Sequence, residues 1–187
     1  ACKPLLCNEQ FAPLTRRKYQ TFALFPYEVS DKGEVTELDI SEFSSLYPKA
    51  GAYLANHKKL VCENVQTLPE KNNSYNKREH WHLFTRANNH GAIYQKLCVP
   101  MTAQYPQAAV VLDKHVYCDN ANMFFIQIDD VNETRLYALA GIINSTIFST
   151  FARAIANPQR GGYFKFNKQF LDPVPVPAKA FLTCNKN

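Results

Sequence analysis

Three stretches of this chain combine residue types that can contact phosphates or base edges. Arg16-Arg17-Lys18-Tyr19 sets three cations beside an aromatic ring. Arg86-Ala87-Asn88-Asn89-His90-Gly91 offers a guanidinium, two carboxamides and an imidazole. Arginine suits guanine edges and asparagine adenine edges, each through a bidentate pair that discriminates by roughly 1–3 kcal/mol. Asn157 to Lys165 (NPQRGGYFK) puts Arg160 beside two glycines. Glycine lets backbone approach a phosphate or groove wall closely, while Arg160 and Lys165 supply charge. The candidate DNA-contacting residues from these stretches are Arg17, Lys18, Arg86, Asn88, Asn89, His90, Arg160, Gly161, Gly162, Tyr163 and Lys165, and Arg78 joins them as a further cation. Read singly, each loop is better explained as a solvated turn; the three together point towards nucleic acid.

Catalytic templates fail on inspection. Among the six glycines no GxG occurs, which removes the dinucleotide fingerprint and the phosphate loop. No GxSxG elbow is present either. Asp129-Asp130 ends an expected strand, where adjacent side chains point to opposite faces, so solvation is the better reading than a metal site. His80-Trp81-His82 would put both histidines on one face of a strand. A third ligand would have to come from His90, His115 or a cysteine, and no spacing nominates one. The alternative is a Trp81-anchored strand flanked by polar histidines. Cys2, Cys7, Cys62, Cys98, Cys118 and Cys184 are scattered without a CxxC, which favours free thiols in a reducing, cytoplasmic setting. No catalytic residue, no metal and no cofactor is expected in this chain.

These loops need elements to position them. Thr21 to Val29 (TFALFPYEV) reads as a strand, followed by an Asp31-Lys32-Gly33 turn and a short alternating segment from Glu34 to Ile40. Ser41 marks a helix start, and Pro48 opens a second helix running to about Cys62. Gln66 to Lys77 reads as an exposed loop. Short strands are expected at His80–Phe84, Ala92–Val99, Ala109–Leu112, His115–Tyr117 and Met123–Ile128, with Asp113-Lys114 as a tight hairpin. Glu133 to Ala156 is the longest helix signal. Its apolar stripe is Leu136, Leu139, Ala140, Ile143, Ile147, Phe151 and Ala154. Pro158 and Gly161-Gly162 stop it, and Pro173, Pro175 and Pro177 force extended backbone at the end. The expected fold is α+β: a mostly antiparallel, twisted sheet of short strands, an N-terminal helical segment and a long C-terminal helix.

At 187 residues the chain holds one substantial core, or at most two very small ones, and 46% hydrophobic residues make it globular. No apolar run approaches the roughly 18 residues that span a bilayer, so no membrane association is expected. The N-terminus lacks a signal-peptide pattern and does not begin with Met, which suggests an excised piece of a longer protein. The net charge of +5 is unevenly spread. Glu28 to Glu42 carries six acids and one lysine, whereas Arg153 to Asn187 carries six bases and only Asp172 as an acid. Such polarity can present a basic face to phosphates, although +5 also serves solubility alone.

An ordered series of landmarks follows. Phe22-Ala23-Leu24-Phe25-Pro26-Tyr27-Glu28 leads to Tyr47-Pro48, then to Tyr53-Leu54…His57-Lys58-Lys59-Leu60 and Trp81…Phe84-Thr85-Arg86. Leu139-Ala140-Gly141-Ile142-Ile143-Asn144-Ser145, Gly161-Gly162-Tyr163-Phe164-Lys165-Phe166 and Leu171…Pro175-Val176-Pro177 complete it. In this order they resemble the C-terminal specificity domain of TaqI-like adenine-N6 DNA methyltransferases, including the fused restriction–modification enzymes. The resemblance covers most of Phe22 to Pro177; Pro173 departs from it, and residues 1–20 match it poorly. It implies that residues 1–187 form a single DNA target-recognition domain, with 1–20 as a linker from an N-terminal methyltransferase domain. That domain would bind S-adenosylmethionine and carry an Asn/Asp-Pro-Pro-aromatic motif. Asn157-Pro158-Gln159-Arg160 lacks the second proline and the aromatic, so the catalytic domain would lie outside this chain. An adenine buried in duplex must leave the stack to be methylated, so such an enzyme needs a reader for the surrounding bases. The implied partners are double-stranded DNA and the linked methyltransferase domain of a bacterial, type II parent, fused or not to an endonuclease. The competing reading is a protein-interaction module whose 13 Phe and 10 Tyr form an interface without direct DNA contact.

Overall fold

A computed structural model describes residues 1–7, 11–13, 19–65, 80–84, 93–118, 122–128 and 132–176. The fold is α+β, as expected, and it divides into two compact units. One comprises Ala1–Lys3 and Phe22–Ile93, the other Pro4–Thr21 and Tyr94–Asn187. The chain passes between them within β1 (Cys2–Leu6), at the start of β2 (Thr21–Leu24) and again between Ile93 and Tyr94.

In the first unit the TFALFPYEV segment is two strands rather than one. β2 stops before Phe25-Pro26, and β3 (Tyr27–Val29) resumes beyond the proline, which has no N–H for a ladder. β3 pairs antiparallel with β4 (Val35–Glu37) in the register Tyr27↔Glu37, Glu28↔Thr36, Val29↔Val35. The intervening turn needs Gly33, whose φ is 82° and whose N–H donates to the Ser30 carbonyl. The cap of α1 (Ile40–Leu46) is Asp39 and not Ser41: its carboxylate accepts the Glu42 N–H at 2.8 Å and the Ser41 hydroxyl at 2.6 Å. These two bonds hold the Asp39 carboxyl below its ordinary range, the Ser41 hydroxyl contributing most. The Pro48 helix also divides, into α2 (Pro48–Asn56) and α3 (Lys58–Val65). At His57 the ring Nδ1 lies 2.8 Å from the Tyr53 carbonyl and helps satisfy the end of α2. α1 and α2 approach so closely that a Cβ on Gly51 would sit 2.7 Å from Ser44 Cα. Leu38, Phe43, Leu54 and Trp81 form the core of this unit.

His80 to Phe84 is a turn and not the expected strand. Trp81 and His82 are both buried there, whereas His80 is exposed, because the turn breaks the alternation that a strand would impose. The His82 Nε2–H donates to the Leu38 carbonyl at 2.8 Å, and the Phe84 N–H donates to the Tyr27 hydroxyl at 2.7 Å.

The second unit centres on β5 (Lys96–Pro100), all five residues of which are buried. It is followed by β6 (Thr102–Ala103), β7 (Ala109–Val111), β8 (Tyr117–Cys118) and β9 (Met123–Ile126). β5 lies antiparallel between β7 and β9, with Leu97 opposite Val110 on one side and Ile126 on the other. Period two divides its side chains between two clusters: Leu97 and Val99 join Leu136, Ala140, Phe148 and Phe166, while Cys98 joins Leu6, Val111 and Met123. Asp113-Lys114 turns the chain without making the expected hairpin. β7 already pairs with β5, and β8 pairs in parallel with β1 through Leu5↔Tyr117 and Leu6↔Cys118. The turn is held locally, with the His115 N–H donating to the Asp113 carboxylate and the Val116 N–H to the Asp113 carbonyl.

The expected long C-terminal helix is two helices, α4 (Glu133–Ile143) and α5 (Thr146–Ile155), bent by 62° at Asn144-Ser145. Two side chains make the elbow. The Asn144 carboxamide accepts the Ala108 N–H and donates to the Ala108 carbonyl, each at 2.9 Å. Ser145 adopts extended backbone and its hydroxyl accepts the Phe148 N–H, starting α5 afresh. The elbow also divides the apolar stripe. Leu136, Ala140 and Ile143 are buried as expected, but α5 buries Phe148 and Ala152 and leaves Ile147, Phe151 and Ala154 exposed. Among the described residues no single helix is long and apolar enough to cross a membrane.

Lys96 is fully buried, its ammonium lying 4.8 Å from the Phe125 ring centroid, 5.2 Å from Tyr94 and 5.7 Å from Tyr117. Burial pulls its pKa below the usual 10.5 and pushes the Tyr117 phenol up to about 12. Beyond pH 10.5 unfolded tyrosines ionise while folded Tyr117 retains its proton. The folded state then holds more protons, so stability falls as pH rises towards about 12. The expected result is a declining urea midpoint across that window in the wild type and a shallower decline in Tyr117→Phe. Identical slopes would refute this assignment.

Candidate nucleic-acid interface

After α5 the chain forms a small sheet in the second unit. β10 (Asn157–Pro158) pairs antiparallel with β11 (Phe164–Lys165), which pairs antiparallel with β6. Between β10 and β11, Arg160–Gly162 makes a single 3-10 turn, closed by the Gln159 N–H donating to the Tyr163 carbonyl at 2.7 Å. Gly161 and Gly162 both take positive φ, 74° and 78°, a conformation that side-chain-bearing residues rarely adopt. The NPQRGGYFK motif is thus a hairpin whose turn only glycines make without strain, and it exposes Arg160, Tyr163 and Lys165.

Its base is firmly held. The Phe166 N–H donates to the Met101 carbonyl at 2.7 Å, and the fully buried Phe166 ring lies in the main cluster of the unit. α6 (Lys168–Leu171) follows at once and buries Leu171 in the same cluster. Lys168 is taken by an ion pair with Asp172 at 2.9 Å, so it contributes less free charge than the sequence suggests. That pair is exposed and adds little stability.

Arg153, which sequence reasoning did not nominate, adds a cation to this region. Its guanidinium lies 5.0 Å from the Tyr105 ring centroid and 4.7 Å from that of Phe164. Such contacts orient the planar group and leave its donors available along the edges. Its position depends on how α5 meets β6 and β11, which no local pattern encodes.

Of the sequence-nominated residues, the structure brings Arg160, Gly161, Gly162, Tyr163 and Lys165 together on one hairpin. Arg17, Lys18, Arg78, Arg86, Asn88, Asn89 and His90 lie outside the described residues, as does Asp129-Asp130. The His80/His82 pair does not form a shared ligand face, and among the described residues no group of three metal-ligating side chains assembles. Two of the scattered cysteines do meet: the Cys98 and Cys118 thiols are in contact in the core.

The hairpin therefore presents cations, an aromatic ring and open backbone, an arrangement suited to binding. A search of curated proteins finds no match to the chain. A family model, that of the TaqI-like C-terminal specificity domain, matches residues 52–176, about two-thirds of the sequence. The match takes in the Pro48 helix from Ala52 onwards, the whole of β5 to α6, the Asn144 elbow and the glycine hairpin, and the chain belongs to the TaqI-like C-terminal specificity domain family.

Proposed function

We propose that this chain reads a specific double-stranded DNA sequence for an adenine-N6 DNA methyltransferase of a bacterial type II restriction–modification system. Membership of a specificity-domain family supports a DNA-recognition role in a methyltransferase-type protein. The observation that carries the finer reading is the exposed β10–β11 turn, with Arg160, Tyr163 and Lys165 around two positive-φ glycines and Arg153 seated on Tyr105 and Phe164. In this reading residues 1–187 act as one recognition domain composed of two units. A covalently linked N-terminal domain binds S-adenosylmethionine and performs the transfer, and the protein works in the cytoplasm. Arg160 reads a base edge, Lys165 holds a phosphate, and the Arg17–Lys18, Arg78 and Arg86–His90 segments add further contacts.

Duplexes selected from a random library by the full chain provide the test. Arg160→Ala is expected to cost about 1–3 kcal/mol on the selected site and to relax its sequence preference. Lys165→Ala weakens all duplexes alike and lowers the salt slope by about one. Unchanged affinity and unchanged preference in both variants would remove the assignment.

The protein-interaction reading draws on one feature, the exposed Ile147, Phe151 and Ile155 stripe of α5. Salt separates the two readings. Binding through phosphates falls steeply as salt rises because counterions are released, whereas an apolar contact is far less sensitive.

A further inference from the structure

Beside the glycine hairpin, Phe11, Thr102, Gln104, Tyr105, Gln107 and Tyr163 line an open cavity of about 270 Å³. We propose that this cavity binds a single unstacked nucleobase of a DNA strand, an inference that rests on the DNA-reading role and names what one part of that site would hold. The volume lies just under the roughly 300–1,000 Å³ of ordinary small-molecule pockets, which suits one planar ring system better than a larger ligand. Its lining has the two chemistries that a base requires. Tyr105 and Tyr163 are 51% and 43% exposed and offer ring faces for stacking, with Phe11 as a third aromatic wall. Gln104 and Gln107 bring carboxamides, each with donors and an acceptor that can meet a base edge. Among the described residues no carboxylate lines it.

Its position favours a base attached to a strand over a free ring. β6 supplies Thr102 and pairs with β11 through Lys165↔Thr102 and Phe164↔Ala103, so cavity and cationic turn belong to one sheet. Tyr163 follows Gly162 directly and lines the cavity from the turn. The Arg153 guanidinium packs on the Tyr105 ring, 5.0 Å from its centroid, so a cation able to meet a phosphate adjoins one of the lining rings. Enzymes that modify a base in duplex extrude it from the stack, so unpaired bases arise in the very reaction that such a domain serves.

The test compares the full chain on two short duplexes of the selected sequence, one fully paired and one carrying a single-nucleotide bulge. Stacking is worth about 1–3 kcal/mol per base by alanine substitution, which is roughly a five- to 150-fold preference for the bulged duplex. Tyr105→Ala is expected to bring the ratio of the two affinities close to one, and Tyr105→Phe, which keeps the ring, to restore it. A wild-type ratio of one overturns the proposal, as does a ratio that survives Tyr105→Ala. Saturation by a free nucleoside monophosphate without preference for the bulge also overturns it, since the ligand would then not be a strand-borne base. If Arg160→Ala still weakens the paired duplex in those cases, DNA reading stands while the base pocket fails. Absence of binding to either duplex removes both.

Discussion

Asn144→Ala is expected to lower the unfolding free energy of the second unit by about 3 kcal/mol, read as a drop in urea midpoint at unchanged slope. The Asn144 carboxamide both accepts from and donates to the backbone of Ala108, at 2.9 Å each way, and Ala108 is fully buried. The side chain stands in for a neighbouring strand just before β7 begins. Removing it leaves a buried N–H and a buried carbonyl without those partners, and each such loss costs about 1–3 kcal/mol. The two are coupled through one side chain, so they add incompletely. Asn144→Asp separates the terms: the carboxylate still accepts the Ala108 N–H but turns an acceptor towards the Ala108 carbonyl. It should remain destabilised at neutral pH and improve on acidification, when the carboxyl regains a donor. An alanine variant within 0.5 kcal/mol of the wild type would show that water or a shift of the elbow replaces both bonds.

Phe166→Ala should cost about 3–5 kcal/mol, the range for deleting a buried phenyl ring. Phe166 is fully buried among Leu97, Leu136, Phe148 and Leu171, and its own N–H ties the chain to Met101 at the edge of β6. Loss on this scale is a large share of the 5–15 kcal/mol that ordinarily holds a domain together. The consequence extends to the proposed function, because Phe166 immediately follows the β11 residues that carry the glycine turn. Under conditions where the variant is still folded, DNA affinity should fall although no contacting side chain has changed. Phe166→Leu retains most of the apolar volume and should lose far less of both. Full affinity in a folded Phe166→Ala chain would mean that the turn holds its shape without its anchor.

The difference between reading the chain and seeing its structure is clearest at the ends of its elements. The Asp31-Lys32-Gly33 turn was readable because a tight turn demands positive φ and glycine supplies it; Gly33 does so at 82°. NPQRGGYFK stands out in the sequence for another reason, the close backbone approach that glycine permits beside Arg160, and the structure gives both of its central glycines positive φ on an exposed hairpin. The apolar stripe from Leu136 to Ala154 also announced helix, but period alone cannot locate a break whose cause lies elsewhere in the chain. Asn144 ends α4 because Ala108, 36 residues earlier, presents a matching pair of backbone groups. His80 to Phe84 failed as a strand for a related reason: Trp81 and His82 are drawn into the first core, His82 onto the Leu38 carbonyl 44 residues earlier.

The residue types of the basic hairpin, its two glycines and the α+β class were determined by local sequence, because backbone propensity and alternation act over a few residues. Tertiary structure alone decided the partners of that hairpin. Arg153 on Tyr105 and Phe164, the cavity shared by Gln104, Gln107 and Tyr163, and the contact of Cys98 with Cys118 all arise where separate elements meet. Such meetings are fixed by burial of a common core and by pairing of distant backbone groups, energies that become defined only once the chain has folded upon itself.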